Sequence, residues 1–70
     1  MQEFELEGRE FIELHNLLKI TGLCNSGGQA KQLITEELVM VDGNVETRKR
    51  CKIRAGQRVD FNGESVSVVA

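Results

Sequence analysis

Apolar and polar positions change period several times along the 70 residues, and each change marks an element. Phe4-Glu5-Leu6-Glu7 alternates apolar with acidic residues, the pattern of a half-buried strand, and Gly8 ends it. In Phe11-Ile12-Glu13-Leu14-His15-Asn16-Leu17-Leu18-Lys19-Ile20, positions 11, 14, 17 and 18 share one helical face. This predicts a first helix, with Gly22 in the place of a helix C-terminal glycine. His15 lies off that face and reads as a surface residue. Asn25-Ser26-Gly27-Gly28-Gln29 predicts the start of a second helix. Ser26 can accept from the Gln29 N–H while the Gln29 side chain returns to the Ser26 N–H, a capping box. Ala30, Leu33 and Ile34 then form the buried stripe, leaving Lys31, Gln32 and Thr35 outside.

The second half changes to period two. Leu38-Val39-Met40-Val41-Asp42-Gly43-Asn44-Val45 predicts a hairpin, because Asp-Gly supplies positive-φ turn residues. A two-residue turn sets Val39 opposite Glu46; a three-residue loop over 41–43 sets it opposite Val45, and side-chain matching favours the second. Ala55-Gly56-Gln57 turns the chain, and Arg58-Val59-Asp60-Phe61 alternates. After a turn at Asn62-Gly63, Glu64-Ser65-Val66-Ser67-Val68-Val69 alternates again, completing two antiparallel strands. The expected fold is α+β: two helices packed on one face of a small, mostly antiparallel sheet.

At this length the chain is one domain over residues 1–70. It buries only roughly 60% of its unfolded surface, which favours surface binding over a deep catalytic cleft. Cys24 and Cys51 are far apart, and with His15 they do not form a zinc-site spacing, so no metal or cofactor is expected. The sequence shows neither a leader-like basic and apolar start nor an apolar run near the roughly 20 residues that span a bilayer. The expectation is therefore a cytoplasmic protein with no membrane association and with reduced thiols.

Charge is what changes the picture. The formal net charge is −2, and the first thirteen residues hold five glutamates against Arg9. In Thr47-Arg48-Lys49-Arg50-Cys51-Lys52-Ile53-Arg54, five of eight residues are cationic and none is acidic. Such a run is either a solvated loop or a contact for a polyanion. The capped helix start supplies a second place suited to phosphate, since its first N–H groups have no helical acceptor. Gly27 and Gly28 would let another molecule approach the backbone there, although a plain glycine-containing helix start explains them equally well. The G-K-[ST] ending of a nucleotide-hydrolase phosphate loop is missing. No serine, histidine and acid set is recognisable, and Glu36 and Glu37 read as solvated acids, so an enzyme is not expected. The chain has no Trp or Tyr, and Phe4, Phe11 and Phe61 all read as core residues. Readers of unpaired bases use surface aromatics. Their absence favours phosphate and 2′-hydroxyl contacts to structured RNA.

Ser26-Gly27-Gly28-Gln29-Ala30-Lys31-Gln32-Leu33-Ile34, followed by Val39-Met40-Val41-Asp42-Gly43 and Val45, resembles a known family. It is the RNA-binding domain named after the fourth protein of the small ribosomal subunit, the αL motif. Ser26, Ala30, Lys31, Ile34, Val39, Val41, Asp42 and Gly43 match its serine cap, A-[RK]-x-x-I helix and V-x-V-[ND]-G-x-x-V pattern, the last valine arriving one place early. Lys52-Ile53-Arg54-Ala55-Gly56-Gln57-Arg58-Val59 is similar to the family's closing turn and strand. The similarity covers about residues 12–61, and the short form with Arg48-Lys49-Arg50 looks most like the small bacterial YbcJ-like proteins. Two places depart from the pattern: Gly27 replaces an arginine common after the serine, and Glu37 replaces the glycine that usually ends the second helix.

The resemblance implies non-catalytic binding of structured RNA, ribosomal or transfer RNA first, by the second helix and the adjoining loop. A ribosomal or RNA-processing assembly is the setting such a module fits, and a monomer is the favoured state. The candidate RNA-binding residues are Asn25, Ser26, Gly27, Gly28, Lys31, Arg48, Lys49, Arg50, Lys52 and Arg54, with Cys51 and Ile53 turned inward as anchors. The competing reading is a protein-interaction module of ubiquitin-like kind without nucleic acid. A sulfur carrier of that kind would end in Gly-Gly, whereas this chain ends Val68-Val69-Ala70.

Overall fold

The computed structural model describes residues 2–70. Its main sheet is built by β1 (Gln2–Glu5), β3 (Val39–Val41), β4 (Asn44–Val45), β6 (Arg58–Phe61) and β7 (Glu64–Val69). Their spatial order is β1-β7-β6-β3-β4, antiparallel throughout except for the parallel β1–β7 pair. Helices α1 (Leu14–Ile20) and α2 (Gly27–Thr35) pack on each other. A separate ribbon pairs β2 (Ile12–Glu13) with β5 (Lys52–Ile53). The expected α+β architecture is present.

Alternation decides which side of each strand is buried. Val39 and Val41 of β3, Val59 of β6, and Val66 and Val68 of β7 all lie in the core. They meet Leu14, Leu17 and Leu18 of α1 and Ala30 and Ile34 of α2 in one cluster. Burying each of these larger side chains contributes roughly 1.5–3 kcal/mol. No polar or charged side chain among the described residues is buried.

The first strand and the first helix both have other bounds than the pattern predicts. β1 runs over Gln2–Glu5 because it pairs in parallel with β7, and Leu6 then buries itself beyond the strand. The first helix begins at Leu14 rather than at position 11. Ile12 and Glu13 instead pair with Ile53 and Lys52, a long-range contact that overrides local helical periodicity. The hairpin has the two-residue turn: Met40 faces Val45, and the Glu46 N–H donates to the Val39 carbonyl at 3.0 Å. Asp42 (φ 52°) and Gly43 (φ 84°) both adopt left-handed backbone, the geometry that matches strand twist in tight hairpins. Matching Val39 with Val45 fails because Val45 belongs to the outer face, where it is about half exposed.

Candidate nucleic-acid interface

Position in the fold explains why the basic run stays on the surface. Ile53 is fully buried, Cys51 is half-buried against the core, and Arg48, Lys49, Arg50, Lys52 and Arg54 are exposed. The Cys51 N–H donates to the Arg48 carbonyl at 3.1 Å, closing a turn over residues 48–51. The turn sits at the start of α1. Glu13, the N-cap, makes no side-chain capping bond. In its place the Cys51 carbonyl accepts from the Leu14 N–H at 2.9 Å and the Lys49 carbonyl from the His15 N–H at 3.2 Å. The carbonyls of the basic turn therefore cap a helix while its side chains project outward. Arg48, Arg50, Cys51 and Lys52 line an open hollow of about 370 Å³ beside it.

The five cations are not equivalent. The Arg48 guanidinium is held by Glu46, through Nε to Oε2 at 2.9 Å and Nη2 to Oε1 at 3.0 Å. Glu46 Oε2 also accepts from the Arg48 backbone N–H at 3.0 Å. Hydrogen bonds from the Arg48 side chain and then from its backbone hold the Glu46 carboxyl at about 2, well below its ordinary value, and the pairing pushes Arg48 upward. The Cys51 thiol donates to Glu46 Oε1 at 3.6 Å, and burial, aided by the Glu46 charge, raises its pKa. Cys51 is thus a protonated anchor rather than a nucleophile. Among the described residues Lys49, Arg50, Lys52 and Arg54 form no ion pair with a carboxylate.

Lys52 and Arg54 lie over the Phe11 ring, with Nζ at 5.0 Å and Cζ at 5.7 Å from its centroid. This corrects the assignment of Phe11 to the core. Phe4 and Phe61 pack against the core cluster, but Phe11 is half-buried on the outer side of the β2–β5 ribbon. His15 also departs from expectation. It is half-buried, with Nε2 3.0 Å from Glu13 Oε1, rather than on the open surface.

The second helix begins as its residues dictate, with one change. The Ser26 Oγ accepts from the Gln29 N–H at 3.2 Å, but Gln29 Oε1 returns to the Asn25 N–H at 2.8 Å, one residue before Ser26. Asn25, Ser26, Gly28 and Lys31 are exposed and Gly27 is half-buried. Neither glycine is there for packing: a Cβ at Gly27 would meet nothing within 4 Å, and one at Gly28 only Ser26 Oγ at 3.9 Å.

The structure thus brings Arg48, Lys49, Arg50, Lys52 and Arg54 together on one side of the α1 start. Asn25 to Lys31 follow the other end of α1, where the Cys24 N–H donates to the Leu18 carbonyl at 3.1 Å. The seven residues of α1, about 10 Å long at ~1.5 Å per residue, lie between the two groups in the chain. No hydrogen bond or ion pair among the described residues joins them. Two neighbours of these cations, Glu46 and Phe11, were missed in the sequence. Glu46 was detectable as the lone acid two places before Arg48. Phe11 was detectable only through the register that sets it across from Arg54, one step beyond the Ile12–Ile53 pair.

Comparison with known proteins gives the family and the fold. The family model described as S4 domain matches residues 4–69. The chain belongs to the S4 domain family. This S4 domain is 57% identical over 70 residues to YbcJ of Escherichia coli (strain K12), whose name provisionally gives RNA binding, and the match covers 100% of both chains. The identity to YbcJ of Shigella flexneri, described as uncharacterized, is also 57% with full coverage of both. The solution structure of YbcJ from E. coli, described as revealing an αL motif involved in RNA binding, superposes with a TM-score of 0.78 at 57% identity. That match covers 100% of this chain and 89% of the other. The family and the αL fold expected from the sequence are both found.

Proposed function

We propose that this S4 domain binds structured RNA without catalysis, ribosomal or transfer RNA being the first candidates, in the cytoplasm and as a monomer. The observation that carries the proposal is the capping turn at residues 48–51. Its Lys49 and Cys51 carbonyls are committed to α1, and Lys49 and Arg50 project side chains that form no ion pair with a carboxylate among the described residues. With Lys52 and Arg54 they form the main phosphate-binding group, each contact releasing counterions from the RNA. Arg48 acts differently from its neighbours. Glu46 already neutralises its charge, so it orients the turn and adds little to phosphate attraction.

Lys31 and the free N–H groups of Gly27 and Gly28 make the lesser contact, beyond the other end of α1. That placement suits one RNA backbone passing both ends of the helix. A ribosomal or RNA-processing assembly fits such a module, because the domain would position itself on RNA rather than transform it. An amide-shift titration with an RNA hairpin tests the placement. Shifts should cluster at residues 26–31 and 48–54. Shifts confined to the outer sheet face, at Met40, Val45 and Asp60, would overturn it.

A further inference from the structure

We propose that Phe11, flanked by Lys52 and Arg54, is a stacking subsite for one unpaired nucleobase, so that the domain prefers RNA in which a bulge or loop interrupts the duplex. The inference rests on the RNA-binding reading and deepens it. It begins with the pleat of the β2–β5 ribbon. Ile12 and Ile53 face each other and are buried, at 5% and 0% exposure. Alternation then turns Phe11, Glu13, Lys52 and Arg54 to the opposite side. Glu13 is occupied by His15. Phe11 is left with two cations over its ring and without a place in the core.

A half-buried phenylalanine on an outer face keeps part of its ring open to solvent and adds nothing to the core cluster. The two cations over it are long side chains with no carboxylate partner among the described residues. A base entering this place would replace cation–π contacts by stacking, the stronger of the two at an exposed site. The displaced ammonium and guanidinium would remain within reach of the phosphates on either side of that base. Lys52 also lines the hollow with Arg48 and Arg50, so the subsite continues directly into the basic turn. A fully paired duplex cannot use the ring, since its bases are stacked on one another. Any preference therefore arises where one base is free.

The test compares two RNA hairpins of the same stem, each closed by a non-nucleotide linker so that no loop base is free, one fully paired and one with a single-nucleotide bulge, by fluorescence anisotropy. Wild-type protein should favour the bulged hairpin by about tenfold, the scale of one base–aromatic stack. Phe11→Leu should lose that preference while binding the paired hairpin as wild type does. The chain has no Trp or Tyr, so Phe11→Trp provides a lone fluorophore at the site. Its emission should be quenched by the bulged hairpin and not by the paired one, which decides the matter even if Phe11→Leu fails to fold. Equal affinity of wild type for both hairpins, or unquenched emission on binding the bulged one, would overturn the subsite alone. Failure of wild type to bind either hairpin would overturn the RNA-binding reading and the subsite with it.

Discussion

Glu46 and Arg48, two residues apart, are joined by three hydrogen bonds of 2.9–3.0 Å that use both carboxylate oxygens and the backbone N–H as well as the guanidinium. The carboxylate thus fixes the direction in which the chain enters the basic turn. It also places one negative charge directly beside the positive run. The turn is therefore ordered before any RNA arrives, which lowers the entropy lost on binding.

That pair sets an acid dependence of stability. The folded-state pKa of Glu46 is depressed to about 2 from an ordinary 4.5. Its contribution is fully present above the unfolded value and is lost as pH falls from there through about 2. A carboxyl-carbon titration followed by NMR should find Glu46 protonating far below an ordinary glutamate. In Glu46→Gln the corresponding component of acid destabilisation should disappear from denaturant melts between pH 5 and pH 2 (roughly the span set by these pKa values). Titration of Glu46 near its ordinary value would show that the pair does not persist in solution.

At Glu37 the residue conflicts with both the family pattern and the backbone. The residue has φ 63°, and its N–H donates to the Ile34 carbonyl at 3.1 Å while the Leu38 N–H donates to Leu33 at 3.2 Å. These are the two bonds of a helix-ending motif that favours glycine. A side chain in left-handed backbone costs about 1 kcal/mol. Glu37→Gly should raise stability by about that amount, or roughly 4–8 °C in Tm for a domain of this size. RNA affinity should be unchanged. A lower Tm would show that the Glu37 side chain contributes more than its backbone strain costs.

Gly27 separates helix stability from binding. Its φ is not positive and a Cβ has free space, so Gly27→Ala should stabilise α2 by up to about 1 kcal/mol. The added methyl would stand where a phosphate approaches the free N–H groups. Affinity for an RNA hairpin should therefore fall although stability rises. Unchanged affinity in the stabilised variant would remove the helix start from the interface.

Local signals read these elements well and long-range ones poorly. Ser26, Gln29 and the apolar stripe of Ala30 and Ile34 act within one turn of helix, and α2 appears where they put it. The strands at 58–61 and 64–69 likewise follow from alternation around Asn62-Gly63. Phe11-Ile12-Glu13-Leu14 fits both a helix and a strand. Only the partner residues Lys52 and Ile53, some forty places away, decide it. The same dependence hid the surface position of Phe11 and the capping of α1 by Cys51 and Lys49. Charge segregation made the basic run visible, whereas the division between Arg48 and its neighbours required the position of Glu46. In the hairpin, the twist that Asp42-Gly43 imposes outweighs side-chain matching of Val39 with Val45.

The salt dependence of affinity for an RNA hairpin tests most directly whether the basic turn binds phosphate. The logarithm of the affinity should fall linearly with the logarithm of salt concentration, by roughly 0.7–0.9 per phosphate contact. Lys49→Ala and Arg50→Ala should each lower that slope by about one contact, whereas Arg48→Ala should leave it nearly unchanged. A slope near zero for wild type, or one that drops equally in Arg48→Ala, would contradict the assignment of phosphate binding to Lys49 and Arg50.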